Sequence, residues 1–218
     1  MRLHRLAVVA LAATATVIPA AATAAPPTPH QLSISATPNP VVFGKTVAIT
    51  GTLTGADSGG ETVTLRDDPF PFGNFAHPTS TTTKADGTYA FTVAPTVNTK
   101  YEASAKSKSP ATSPVLTVLV APRVGLVAGD LTPKVGQTVT FRGRVYPPHD
   151  GQNVLLQRHN STGWHTLAKI PLVHATDTFS SFSVQRKITR NGTFRVVKPK
   201  DTDHARGVSP RRKLTVHD

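Results

Sequence analysis

Histidine is the residue type in this chain best suited to chemistry, and its spacing decides which chemistry is open to it. His149, His159, His165 and His174 cluster in sequence. Imidazole binds transition metals, but a metal-binding helix sets its histidines in an HExxH pattern, and zinc knuckles pair their ligands a few residues apart. These four show neither spacing. His149 and His159 fall at turn signals, His165 and His174 on strands or loops, and all read as solvent-exposed side chains. Asp201-Thr202-Asp203-His204 resembles an oxygen-rich loop. Calcium asks for roughly six to eight oxygens, and Lys198, Lys200 and Arg206 beside that loop oppose a cation. Asp67-Asp68 stands in a neutral region, but two carboxylates alone are too few. The expectation is no metal and no cofactor.

Hydrolysis needs a nucleophile, a base and an orienting group, or two carboxylates across a cleft. No GxSxG or SxxK frames any serine, there is no cysteine, and glutamate occurs only as Glu61 and Glu102. No catalytic residue is assigned and a non-enzymatic protein is expected. The missing cysteine also excludes disulfides, thiolate zinc sites and a lipid-modified N-terminal cysteine.

Charge offers a second kind of chemistry. Residues 31–121 hold six Lys and Arg against six Asp and Glu, whereas residues 122–218 hold 16 against six. An asymmetry of this size points to an anionic partner for the basic part. Arg142, Arg144, Lys187, Arg195, Arg211, Arg212 and Lys213 are the candidate anion-binding residues. Strand alternation sends Arg142, Arg144 and Lys187 out from one sheet and Arg195, Arg211 and Lys213 from the opposite one. Charge then surrounds the unit instead of lining one groove, which attracts polyanions without specifying one. The partners that fit are anionic cell-wall polymers such as teichoic acids, acidic glycans, lipid head groups and extracellular DNA. No recognition helix or stacking motif is present, so sequence-specific nucleic-acid reading is not expected.

Aromatic stacking is a third. Phe70, Phe72 and Phe75 crowd the stretch Asp68-Pro69-Phe70-Pro71-Phe72-Gly73-Asn74-Phe75, an insertion between two strands. They either fold under as a satellite core or form an exposed apolar or glycan-binding patch, although sugar platforms favour Trp and Tyr, which carry a polar handle. Trp164, the one tryptophan, follows a Ser161-Thr162-Gly163 turn and reads as packing.

These residues need a scaffold, and the pattern of the chain is that of strands. Charged residues make up 17% and the chain has 19 prolines, a balance that disfavours helical surfaces and suits short strands joined by turns. Val47, Ile49 and Leu53 alternate with threonines; Val139, Phe141 and Val145 alternate with Thr140, Arg142, Arg144 and Tyr146. Period-two alternation buries one set and exposes the other. Turn chemistry separates the runs at Asp57-Ser58-Gly59-Gly60, Ala85-Asp86-Gly87, His149-Asp150-Gly151 and Arg190-Asn191-Gly192. The pattern also repeats. Gly44-Lys45-Thr46-Val47-Ala48-Ile49-Thr50-Gly51 recurs 92 residues later as Gly136-Gln137-Thr138-Val139-Thr140-Phe141-Arg142-Gly143. Ser113-Pro114 recurs as Ser209-Pro210, and Leu116-Thr117-Val118 as Leu214-Thr215-Val216. A period near 90 is too long for a solenoid and suits an immunoglobulin-like module of roughly 100 residues.

The N-terminus differs from the rest. Arg2, His4 and Arg5 precede an apolar run from Leu6 to Ile18, Pro19 breaks it, and Ala22-Thr23-Ala24 is a small-x-small step. This order is that of a secretory signal peptide. It is too short for a spanning helix, which needs about 20 apolar residues. Without a C-terminal apolar tail or wall-sorting motif, the mature chain is expected to be released or held non-covalently.

The second copy resembles a bacterial immunoglobulin-like repeat common in secreted proteins of high-GC Gram-positive bacteria. The resemblance rests on Gly151-Gln152-Asn153-Val154-Leu155-Leu156-Gln157-Arg158, Gly163-Trp164-His165-Thr166-Leu167-Ala168, Phe194-Arg195-Val196-Val197-Lys198-Pro199 and His204-Ala205-Arg206-Gly207-Val208-Ser209-Pro210. The first copy shares it through Thr82-Thr83-Lys84-Ala85-Asp86-Gly87-Thr88-Tyr89-Ala90-Phe91-Thr92-Val93. It implies a β-sandwich used as spacer, stalk or binding module, and no activity. The expected organisation is a signal peptide over 1–25, an extended segment over 26–31, a neutral immunoglobulin-like domain over 32–121 and a basic one over 122–218. The expected function is a secreted, envelope-associated binding or structural module. A passive spacer or self-associating protein, and a carbohydrate-binding accessory using Phe70, Phe72 and Phe75, are the alternatives.

Overall fold

The computed structural model describes residues 29–106 and 109–218; the expected signal peptide lies outside them. The described chain is all-β, with no helix. No helix is long and apolar enough to cross a membrane among the described residues.

Two hydrophobic cores organise the chain, each enclosed between two sheets in a β-sandwich arrangement. The first gathers Val47, Ile49 and Leu53 from strand Val47–Thr54, Val63 and Leu65 from Thr62–Pro69, and Tyr101 and Ala103 from Thr99–Ala105. The second gathers Val139, Phe141 and Val145 from Thr138–Tyr146, Val154 and Leu156 from Asn153–Asn160, and Phe194 and Val196 from Gly192–Lys198. Inward residues occupy alternate positions, so the read alternation is the burial pattern of both long strands.

The ladders also correspond. In the N-terminal half, Val47–Thr54 pairs antiparallel with Thr88–Val93, and Thr62–Pro69 lies between Ala76–Thr82 and Thr99–Ala105. In the C-terminal half, Thr138–Tyr146 pairs with Phe179–Lys187, and Asn153–Asn160 lies between Gly163–Pro171 and Gly192–Lys198. Each long first strand carries a glycine at an inward position, Gly51 and Gly143. A side chain at Gly51 would strike the Tyr89 ring, and one at Gly143 the Phe182 ring. The aromatic ring takes the space the glycine leaves.

Pairing changes partner at Pro122. Val120–Ala121 runs parallel to Val41–Val42 in the first half, and Arg123–Val124 pairs antiparallel with Val145 and Tyr146 in the second. No free linker intervenes. The loop after Gly192–Lys198 folds back onto the first half: Asn98 N donates to Asp203 O (2.8 Å) and Ala205 N to Val120 O (2.8 Å). The His204 ring nitrogen Nε2 lies 2.9 Å from Thr96 O.

Candidate functional site

Strand geometry and an edge opening build one groove in the C-terminal half. In Thr138–Tyr146, Phe141 and Val145 point inward, so Arg142 and Arg144 must point out. Opposite them on Phe179–Lys187 stand Ser183 and Ser181, short side chains that leave space above the sheet. The neighbouring edge is broken into Arg123–Val124 and Val127–Ala128. The break frees Leu126 O, which accepts from Arg212 Nε of the facing sheet at 2.9 Å. The result is a groove of about 850 Å³ lined by Arg123, Arg142, Arg144 and Arg212.

No carboxylate lines this groove. None of the ion pairs among the described residues uses an arginine. Aromatic rings orient two of the guanidinium groups. Arg123 lies 4.1 Å over the Tyr146 ring and Arg144 4.6 Å over the Phe179 ring. Those rings pack together at 5.1 Å. Stacking of this kind holds a guanidinium in place while leaving its N–H fork free. The groove therefore gathers four guanidinium groups at one opening, two of them held by rings with their forks free, an arrangement suited to phosphate or carboxylate.

This arrangement differs from the diffuse charge expected from alternation. Arg142, Arg144 and Arg212 converge although they come from two sheets, because the groove runs along the edge between them. Arg123, not among the candidate residues, joins them; it sits on a short edge segment that carries no periodicity. The other candidates go elsewhere. Lys187 stands opposite Thr138, at the far end of the ladder from Arg144, beside Arg158 and Arg190. Arg195 and Arg211 cover Trp164, at 3.9 and 5.5 Å from its centroid, and Arg195 Nε donates to Gln157 Oε1. Partial burial, with Arg206 and Arg211 adding to it, presses the Arg195 guanidinium below its ordinary value. Trp164 is thus a packing surface for cations. Lys213 is exposed opposite Thr193.

The phenylalanine loop is half-folded under. Phe70, Phe72 and Phe75 are each partly buried, and Phe70 meets Phe72 edge to face at 5.5 Å. Lys100 caps the Phe72 ring at 4.5 Å. Asp68, buried, closes the loop by accepting from Gly73 N and Asn74 N. Near its base is a cleft of about 280 Å³ lined partly by Arg66, Asp67, His77 and Tyr101. Its charges are mixed, and Asp67 is 2.8 Å from His77 Nδ1. Burial, then Asp67, pushes the Tyr101 phenol up to about 12. Phe70 and Lys100 thus cover part of the Phe72 ring.

The histidines divide. His174 is exposed and pairs with Asp150 at 2.8 Å. His149 is not exposed, contrary to its turn position: it and His204 are buried, and with Asp201 and Asp203 they bring four ligand-type atoms within 4.8 Å of one another. Lys198 Nζ lies 2.7 Å from Asp201 Oδ2 in the same cluster. Alternation explains the lysine: position 198 shares the inward face with Phe194 and Val196. A buried ammonium is costly unless paired, and Asp201 supplies the pair. Burial works to raise the Asp201 carboxyl, but the Lys198 ammonium and the His204 backbone N–H outweigh it and hold it far below the carboxylate range.

No protein-family model matches the chain, and no curated protein matches it.

Proposed function

We propose that this chain is an exported, non-enzymatic binding module of two tandem immunoglobulin-like domains, whose basic second domain holds an anionic polymer of the cell envelope. The observation that carries the reading is the groove: Arg123, Arg142, Arg144 and Arg212 share one opening with no carboxylate in its lining. Arginine forks recognise phosphate and carboxylate in bidentate fashion, and cations set along a groove raise the local concentration of a polyanion. The resemblance of the sequence to immunoglobulin-like repeats of secreted proteins, and the signal-peptide pattern at its start, support the placement outside the membrane.

The test uses the mature chain on a purified polyphosphate wall polymer across a salt series. Counterion release makes log K fall linearly with log salt, with a slope set by the number of phosphates neutralised. Changing Arg142, Arg144 and Arg212 to Ser is expected to lower the slope by about one per arginine. Changing Lys187, Arg211 and Lys213 to Ser is the matched control and is expected to cost less. Equal losses from both triples would replace the groove with a diffuse field. No retention by the wild-type chain at low salt would leave a passive spacer as the better reading.

A further inference from the structure

A second site lies where the two halves meet, and its features are those of a metal centre. Asp201, Asp203 and His204 come from the loop after Gly192–Lys198, and His149 from the turn after Thr138–Tyr146. The side chains of His149 and His204 are 3% and 2% exposed. Each ring has one nitrogen committed to a backbone carbonyl: His149 Nδ1–H to Pro147 O at 2.8 Å, and His204 Nε2–H to Thr96 O at 2.9 Å. A carbonyl only accepts, so these bonds fix both tautomers. The remaining nitrogens, His149 Nε2 and His204 Nδ1, are buried without a hydrogen-bond partner. They face carboxylates, His149 Nε2 at 3.4 Å from Asp201 and His204 Nδ1 at 3.2 Å from Asp203.

We propose that His149, Asp201, Asp203 and His204 bind one divalent transition-metal ion of the zinc class. Two imidazoles with two carboxylates form a nitrogen–oxygen set that suits zinc-like ions and not calcium. The orienting carbonyls of Pro147 and Thr96 are the outer partners that metal-bound histidines use. The spacing fits as well. Bonds of about 2.0–2.1 Å in a tetrahedron separate ligand atoms by roughly 3.4 Å; the two histidine–carboxylate distances are 3.4 and 3.2 Å, and all four atoms lie within 4.8 Å, so the loop draws in slightly to close the set. The Asp203 side chain is 34% exposed and gives the ion a way in.

Lys198 is the competitor. Its ammonium lies 2.7 Å from the Asp201 oxygen that would bind the ion, and it also donates to Pro199 O. The metal must displace it from Asp201, so the ion binds more weakly than the ligand set alone would allow. Occupancy would have a structural consequence. His204 and Asp203 make the contacts to Thr96 and Asn98 of the first half, so an ion on this loop stiffens the junction between the halves.

Titration of the mature chain with Co²⁺, followed by its visible ligand-field bands and by displacement with Zn²⁺, tests the site. The expected result is one ion per chain with the intense bands of a four-coordinate nitrogen–oxygen site. His149→Gln and His204→Gln each weaken it at least about tenfold, since lost ligands remove whole bonds. Lys198→Met tightens it, because the competing cation is gone. His165→Gln and His174→Gln leave it unchanged. If the buried-histidine variants fail to fold, Asp203→Asn, at the most exposed ligand, is expected to weaken binding by itself. Uptake indifferent to His149, His204 and Asp203 would overturn the assignment. So would a folded wild-type chain and a folded Lys198→Met chain that both take up no Co²⁺.

Discussion

At the Ser-Pro steps the two halves bond alike. Ser113 Oγ accepts from Ala103 N and donates to Pro114 O; Ser209 Oγ accepts from Val196 N and donates to Pro210 O. The serine backbone N–H returns to Ala103 O and Val196 O in turn. Asn98 and Asn191 also match, each accepting from the N–H two residues past a closing strand, Val120 after Leu116–Val118 and Val216 after Arg212–Leu214. The repeat in the sequence is therefore a repeat of bonding devices, each answering a backbone donor that the ladder leaves over. Beyond those devices the halves part. The first puts threonines outward on Val47–Thr54, and the second puts Arg142 and Arg144 outward at the corresponding stretch of Thr138–Tyr146. Sheet interiors tolerate little change because packing is tight, whereas outward positions are free to take on binding.

The comparison can be broken in order of effect. Phe141→Ala, at a fully buried ring 5.0 Å from Phe194, should destabilise the second half by about 3–5 kcal/mol. Ile49→Ala, at a core position of the first half, should cost about 2–5 kcal/mol. Denaturant midpoints measured on the mature chain check both, and a large mismatch between them would mean the cores are not equivalent.

Ser113→Ala and Ser209→Ala should each cost about 1–3 kcal/mol, the price of an unsatisfied buried N–H. Near-equal losses in the same unfolding experiment would support the matched devices; a loss in one half only would break the match. Arg144→Ser should leave the midpoint within about 0.5 kcal/mol, as an outward position does, and should lower polyanion affinity. Thr52→Arg, which charges the outward face of the first half, is expected to gain little affinity because Thr52 lies outside the arginine groove.

The smallest effect separates two turns. Asp86 Oδ1 accepts from Thr88 Oγ1 and N, and those bonds, side chain first, lower its pKa. The corresponding turn of the second half uses hydroxyls, with Thr178 N donating to Thr176 Oγ1. A carboxyl lowered in the folded state stabilises above its unfolded pKa, and that contribution fades as pH falls through the folded value. The first turn should therefore loosen in strong acid, below the ordinary aspartate range. Proton titration by NMR should place Asp86 below an ordinary aspartate, and Thr88→Val should move it back up.

The strands were legible because alternation is a local property: Val139, Phe141 and Val145 announce their face wherever the partner strand lies. The repeat was legible for the same reason, since Gly44 and Gly136 hold the same left-handed turn, with φ near +79° and +82°. The groove was legible only in part. Outward arginines follow from alternation, but the break between Val124 and Val127 that opens the edge leaves no periodic mark, and Arg123 lies on it.

The all-β character, the paired cores and the excess of cations after residue 122 follow from the order of residues alone, because each depends on neighbours a few positions apart or on composition. Tertiary structure decided which charges meet. Arg142 and Arg212 lie 70 residues apart and share a groove. His149 reads as an exposed turn residue until the 199–206 loop folds over it and sets His204 and Asp201 against its ring. Burial and convergence are properties of distant segments brought together, and no local pattern of residue types carries them.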